Sequence, residues 1–231
     1  MVTNPLPPVE GPLTLLYEDT DILVLNKPTG LSVHPTKLEA QHTLANYLVQ
    51  YCPDIAQVGD HPIRPGIVHR LDKNTEGLMI ICKTQAAFEG IKTQFQEKTI
   101  TKKYIALAQG NILSDHMTIH NHMEATKNKD KKMKVVSQPT DKSKEAISHL
   151  QVIKRFGTQT LIEVTPKTGR THQIRVHLAY IGHPIIGDTM YNPAYARKPQ
   201  AIQKLQAIEL GFTHPTTGIR LDFKLPISER L

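Results

Sequence analysis

The chain has 231 residues, 39% hydrophobic and 21% charged, which is the composition of an ordinary globular protein with a sizeable core and not of a disordered or fibrous one. Its apolar runs fall far short of the ~18 residues of a membrane helix, no basic-capped apolar leader opens it, and Cys52 and Cys82 lack CxxC spacing. The expectation is a cytoplasmic protein with reduced thiols and no membrane contact. The net charge of +7 is lopsided, with 10 Lys+Arg against 12 Asp+Glu through residue 115 and 18 against 9 after it, which points to a polyanionic partner.

Residues 1–13, with Pro5, Pro7, Pro8 and Pro12, read as an extended tail. LTLLYEDTDILVLNKPTGLSV places two strands around the turn-forming EDTD, and KPTG breaks the second. LEAQHTLANYLVQYC (38–52) suits a helix ended by Pro53. IVHRL (67–71) and GLMIICK (77–83) read as strands joined by a DKNTE loop. QAAFEGIKTQFQEK puts Phe88, Ile91 and Phe95 on one helical face, and KKYIALAQG returns to a strand. A polar, His- and Lys-rich stretch without assigned structure follows residue 110. AISHLQVIKRF and TQTLIEVTPKT form an expected antiparallel pair, RTHQIRVHLAYIGH a helix, and KLQAIELGF and IRLDFKLP the closing strands. Hairpins outnumber βαβ units, so the fold class is α+β, mixed and mainly antiparallel with flanking helices.

No Walker loop, GxGxxG, HExxH or GxSxG is present, which removes support for nucleotide hydrolysis, dinucleotide chemistry and common serine hydrolysis. His116, His120 and His122 have no Cys or carboxylate cluster to complete a metal set, and no metal is expected. The segment PGIVHRLDKNTEGLMIICKT packs His69, Arg70, Asp72 and Lys73 between two apolar runs. Asp72 reads equally as a turn residue capping its own backbone or as a preorganised carboxylate beside a guanidinium, a competent nucleophile. TGRTHQIRVH offers Arg170, His172, Arg175 and His177, alternatively a polar helix face. TKNKDKKMK (126–134), which contains Lys131 and Lys132, is either a solvated loop tip or a phosphate-holding one.

VHRLDKNTEGLMI resembles the HRLDxxTSGLLL signature of the RluA-type RNA pseudouridine synthases. ILVLNKPTGLSVHP resembles that family's NKPxGxxVH loop, KKYIALAQG its KxYxALVxG segment, TGRTHQIRVHLAYIGHPIIGD its GRTHQIRVHLxxxGHPIxGD block, and LQAIELGFTHPTTGIRLDFKLP its LHAxxLxFxHPxTG ending. The blocks stand in the family's order from about residue 14 to 226. The resemblance implies the pseudouridine synthase fold with a central active-site cleft, a catalytic domain at 14–231, and no S4 domain ahead of it. It implies Asp72 as catalytic aspartate, Arg70 as the arginine entering the RNA helix where the target base has left, Tyr104 as the tyrosine stacking on the base, and Arg175 as the basic partner of the aspartate. His69, Arg170, Lys131 and Lys132 join these as expected substrate-binding residues. Glu76 stands where Ser is commoner and Gln206 where His is frequent.

Such an enzyme breaks the N1–C1′ bond of a flipped-out uridine, turns the base and joins C5 to C1′. Nothing is oxidised or added, so no cofactor is expected. The partner is ribosomal or transfer RNA, and a monomer without an obligatory protein partner is expected. A non-catalytic RNA-binding module would need the basic surface but neither Asp72 nor Tyr104. A nucleosidase would use the same carboxylate but release uracil.

Overall fold

The computed structural model describes residues 6–36, 41–127, 132–198 and 200–231. In chain order the strands are β1 Thr14–Glu18, β2 Ile22–Lys27, β3 Glu76–Cys82, β4 Thr101–Gln109, β5 His116–Ala125, β6 Met133–Val136, β7 Lys144–Arg155, β8 Gln159–Pro166, β9 Leu205–Thr213 and β10 Arg220–Lys224. Helices α1 Leu44–Tyr51 and α2 Gln85–Gln96 flank β3, and α3 Gln173–Tyr180 follows β8. The architecture is α+β and mainly antiparallel, as expected. The chain divides into two compact units, Met1–Thr101 with Glu209–Leu225, and Lys102–Ile208 with Pro226–Leu231. No helix among the described residues is long and apolar enough to cross a membrane.

In the first unit β1, β2 and β3 pair antiparallel in sequence order. The continuous apolar runs ILVL and LMIIC are buried on both faces, with Ile22 to Leu25 and Leu78 to Cys82 at most 2% exposed. Their register sets Ile22 against Cys82 and Lys27 against Gly77, which brings the lysine to the mouth of the turn that carries Asp72. The β9 and β10 segments of this unit pair from Thr213 with Arg220 to Glu209 with Lys224. Ahead of β1, Leu6 is buried and Pro7 O accepts from Asn46 Nδ2 at 2.9 Å, so the proline-rich stretch docks on α1. Gly30 (φ +82°) and Gly66 (φ +66°) supply left-handed corners, and a Cβ at Gly66 would meet Cys82 O at 2.3 Å.

Two expectations change here. Helix α1 begins at Leu44, because Thr43 caps it, amide and hydroxyl both donating to Asn46 Oδ1 at 3.1 and 2.6 Å; the expected start at Leu38 lies outside the described residues. IVHRL is not a strand. Ile67 and Leu71 are buried anchors of an irregular segment, and the Ile80 amide of β3 donates to the His69 ring at 3.0 Å instead of to a strand neighbour.

The second unit orders its strands β4-β8-β7-β5-β6, all antiparallel. Ala106, Ala108, Ile119, Leu150, Ile162 and Val164 form a core against Ile174 and Leu178 of α3. The polar stretch after residue 110, read without structure from sequence, forms β5 and β6. Ile119 and Met123 alternate inward at 5% and 1% exposure, a two-residue period that three histidines on the opposite phase obscure. Gln206 is buried, donating to Pro226 O at 3.2 Å and accepting the Ser228 amide at 2.9 Å, so this departure from the family pattern ties down the chain end.

Candidate active site

Asp72 lies half-buried at the start of a tight turn closed by Thr75 N–H on Asp72 O at 3.1 Å. The turn is pinned to the KPTG loop twice, by Gly30 N–H on Lys73 O at 2.9 Å and by the Lys27 ammonium on the same carbonyl at 3.1 Å. Lys27 also donates to Pro28 O at 2.7 Å and Leu31 O at 2.9 Å, and it is 0% exposed. Three carbonyls match the three N–H groups of an ammonium. Burial nevertheless pushes its pKa down to about 7, while the negative charges of Asp72 and Glu76 hold it up. The unfamiliar carboxylate at position 76 thus faces the same cation as Asp72. Sequence reasoning assigned Lys27 no role, although it sits in the quoted NKPTG block.

Arg70 is exposed, and its Nη1 donates to His34 Nε2 at 2.9 Å. Burial, first, and the neighbouring Arg70 charge lower the His34 pKa, against a raising bond to Pro35 O, so the ring is a neutral acceptor that orients the guanidinium. His34 is a second residue without an assigned role, again inside a quoted block. His69 spends Nε2 on the Ile80 amide and lies 4.9 Å from the Phe95 ring. It holds up the strand beside the turn.

The other named residues belong to the second unit. Tyr104 is half-buried on β4, in register with Val164, and packs on the same core as Ile174 and Leu178. Arg175 is 7% exposed and forms a bidentate pair with fully buried Asp188, Nε to Oδ2 at 2.7 Å and Nη2 to Oδ1 at 3.0 Å. Its guanidinium also lies 5.0 Å from the centre of the Tyr191 ring. Burial works to raise the Asp188 pKa, but Arg175 and the amides of Met190 and Tyr191 outweigh it and hold the carboxyl below its usual range. Arg170 donates through Nε to Glu145 O at 2.8 Å. Lys132 is half-buried just ahead of β6, its carbonyl accepting from Thr126 N–H at 2.7 Å, and Lys131 lies outside the described residues. The Tyr191 hydroxyl accepts from Met133 N–H at 2.8 Å, anchoring this hairpin.

Asp19, Asp21 and His214 bring three ligand-type atoms within 4.8 Å of one another. Their oxygens accept from the Asp21 and Ile22 amides, Tyr17, His214, Thr84 and Thr216, which makes the group a hydrogen-bonded staple between two turns of the first unit. His120 Nε2 lies 3.0 Å from Glu145.

A profile of the RNA pseudouridylate synthase family matches residues 21–180, a span that includes Asp72, Tyr104, Arg170 and Arg175. A Bacillus subtilis protein named uncharacterized RNA pseudouridine synthase YlyB is 42% identical over 217 residues, 94% of this chain and 70% of the relative. Ribosomal large subunit pseudouridine synthase D of Pseudomonas aeruginosa is 40% identical over 229 residues, 94% of this chain and 69% of the relative. The solved structure of human RNA pseudouridylate synthase domain containing 1 matches with a TM-score of 0.73 at 28% identity, covering 95% of this chain and 85% of that one. The chain therefore belongs to the RNA pseudouridylate synthase family, isomerases that act on RNA.

Proposed function

We propose that this protein isomerises uridine to pseudouridine in ribosomal RNA of the large subunit, with residues 14–231 as its catalytic domain and Asp72 as the nucleophile. The observation that carries the reading is the Asp72 turn itself, its Lys73 carbonyl held by both Gly30 and buried Lys27 within the matched span. A backbone so held keeps Asp72 in place before the nucleotide arrives. The target base leaves the helix at a cost of a few kcal/mol, and Arg70, oriented by His34, fills the gap. Tyr104 takes the face of the base, Arg175, held by Asp188, belongs to the catalytic set, and Arg170, Lys131 and Lys132 hold phosphates. The substrate follows the names of the ribosomal relatives over transfer RNA. The free thiols of Cys52 and Cys82 suit the reducing cytoplasm, where the protein acts as a monomer.

The test is Asp72→Asn, which keeps shape and removes charge. Pseudouridine formation in large-subunit RNA should vanish in single-turnover assays while RNA binding stays near wild type. Appreciable turnover by the variant would overturn the assignment of Asp72. Uracil released by the wild type instead of retained would replace the isomerase with a hydrolase, and wild-type binding without any turnover would leave an RNA-binding module.

A further inference from the structure

The second unit carries an open pocket of about 360 Å³ that the reading above leaves unused. His120, Asn121 and His122 of β5, Val135 and Val136 of β6, and Tyr180 at the end of α3 line it. Tyr180 is 63% exposed, which leaves much of its aromatic ring open.

A chain of hydrogen bonds determines what the pocket floor offers. The Arg170 amide donates to Gln173 Oε1 at 3.0 Å, which fixes that side chain, and Gln173 Nε2 then donates to Ile147 O and to Ser148 Oγ, both at 2.9 Å. Asn121 Oδ1 can only accept from His177 Nε2, so the neutral ring accepts at Nδ1 and the Ser148 hydroxyl, which accepts from Gln173, gives its own proton there at 3.0 Å. Burial keeps His177 neutral, with its pKa pushed down to about 4, so its single proton sits on Nε2 and is given to Asn121 Oδ1 at 3.2 Å. Asn121 Nδ2 is left buried and without a hydrogen-bond partner. A donor in that state costs ~1–3 kcal/mol unless a ligand brings an acceptor.

Cations stand nearby. Lys134 on β6, which pairs with Glu124 at 3.2 Å, lies two residues from Val136, ~7 Å away at ~3.3 Å per residue, and Lys132 stands just ahead of the strand. A flat aromatic platform, an amide donor and flanking lysines suit an unpaired base carried on a phosphate backbone better than an isolated small molecule. We propose that this pocket binds one unpaired nucleobase of the RNA, stacked on Tyr180, with the Asn121 side chain turning outward to give its buried Nδ2 proton to a carbonyl oxygen or ring nitrogen of the base edge. The proposal rests on the RNA-acting reading and adds a contact remote in sequence from the Asp72 turn.

The experiment measures binding of a labelled single-stranded oligouridylate by fluorescence anisotropy across a salt series, with no turnover involved. Tyr180→Ala should weaken binding about 5- to 150-fold, the equivalent of ~1–3 kcal/mol of stacking, and Tyr180→Phe should stay near wild type. The log–log salt slope should not change, because no phosphate contact is removed. Asn121→Asp keeps the oxygen that His177 needs and removes the donor, so binding should weaken at every salt concentration of the series. An unchanged dissociation constant for Tyr180→Ala overturns the proposal, as does a loss accompanied by a shallower salt slope. Absence of pseudouridine formation by the wild type would instead overturn the catalytic reading and leave this binding result intact.

Discussion

The two units bury a cation in opposite ways. Lys27 in the first unit is held by three neutral carbonyls, with Asp72 and Glu76 acting only through their fields. Arg175 in the second is matched atom for atom by a buried carboxylate that is itself bonded to two amides. Neutral oxygens satisfy geometry without cancelling charge, so the lysine stays titratable near neutrality, whereas the bidentate pair holds the Asp188 carboxyl below its usual range. The turn that carries Asp72 is thus mounted on the softer of the two supports.

The largest expected effect tests that softness. The native Lys27 pKa of about 7 lies below its ordinary 10.5, so between those values the unfolded chain holds a proton that the folded one has lost. The titration of Lys27 therefore raises the unfolding free energy with pH across this window, by about 5 kcal/mol, and adds no slope below it; the Cys82 thiol, pushed up to about 12 by burial, opposes the rise above pH 9. Lys27→Met should remove most of the rise in urea midpoints taken from pH 7 to 10.5. Lys102, whose pKa burial also lowers, leaves a smaller one. An undiminished rise in the variant would show that the ammonium is not the titrating group.

Breaking the second support should cost ~3–5 kcal/mol, because Arg175→Ala strands the Asp188 charge in a buried site. Unlike the lysine effect, this loss should barely change between pH 6 and 9. Adding Asp188→Asn to an Arg175→Met background should recover part of it, and a double-mutant cycle with no coupling between the two sites would refute the pairing.

The contrast also explains what the sequence could convey. Strands β2 and β3 were legible because a strand buried on both faces is a continuous apolar run, and helix α2 because Phe88 and Ile91 share a face. Asp72 and Arg175 were legible as members of long motif blocks. Lys27 and His34 stood in those same blocks and passed for loop residues, since a cation before Pro-Thr-Gly gives no sign of being buried. Only the register of Lys27 against Gly77 encloses it. Asp188 stood unassigned in GHPIIGD, and its pairing with Arg175 depends on how α3 and the following loop close. IVHRL misled because its apolar residues anchor a loop and a histidine side chain serves the amide that a strand would have served.

The smallest effect concerns His177, where a neutral group is buried with no charge to compensate. Its native pKa of about 4 lies below the ordinary 6.5, so acidification through that interval charges the unfolded chain first. Unfolding free energy should fall as pH drops from 6.5 to 4, by about 3 kcal/mol, and level off on either side as far as this residue is concerned. His177→Gln can still bond Ser148 and Asn121 but cannot titrate, so its stability should decline less over the interval. His34, also depressed by burial, leaves a residual slope of the same sign in the first unit. Wild type and His177→Gln declining in parallel would mean that the proton enters elsewhere. The relay from Gln173 through Ser148 to Asn121 would then lose the step that leaves the Asn121 amide without a partner.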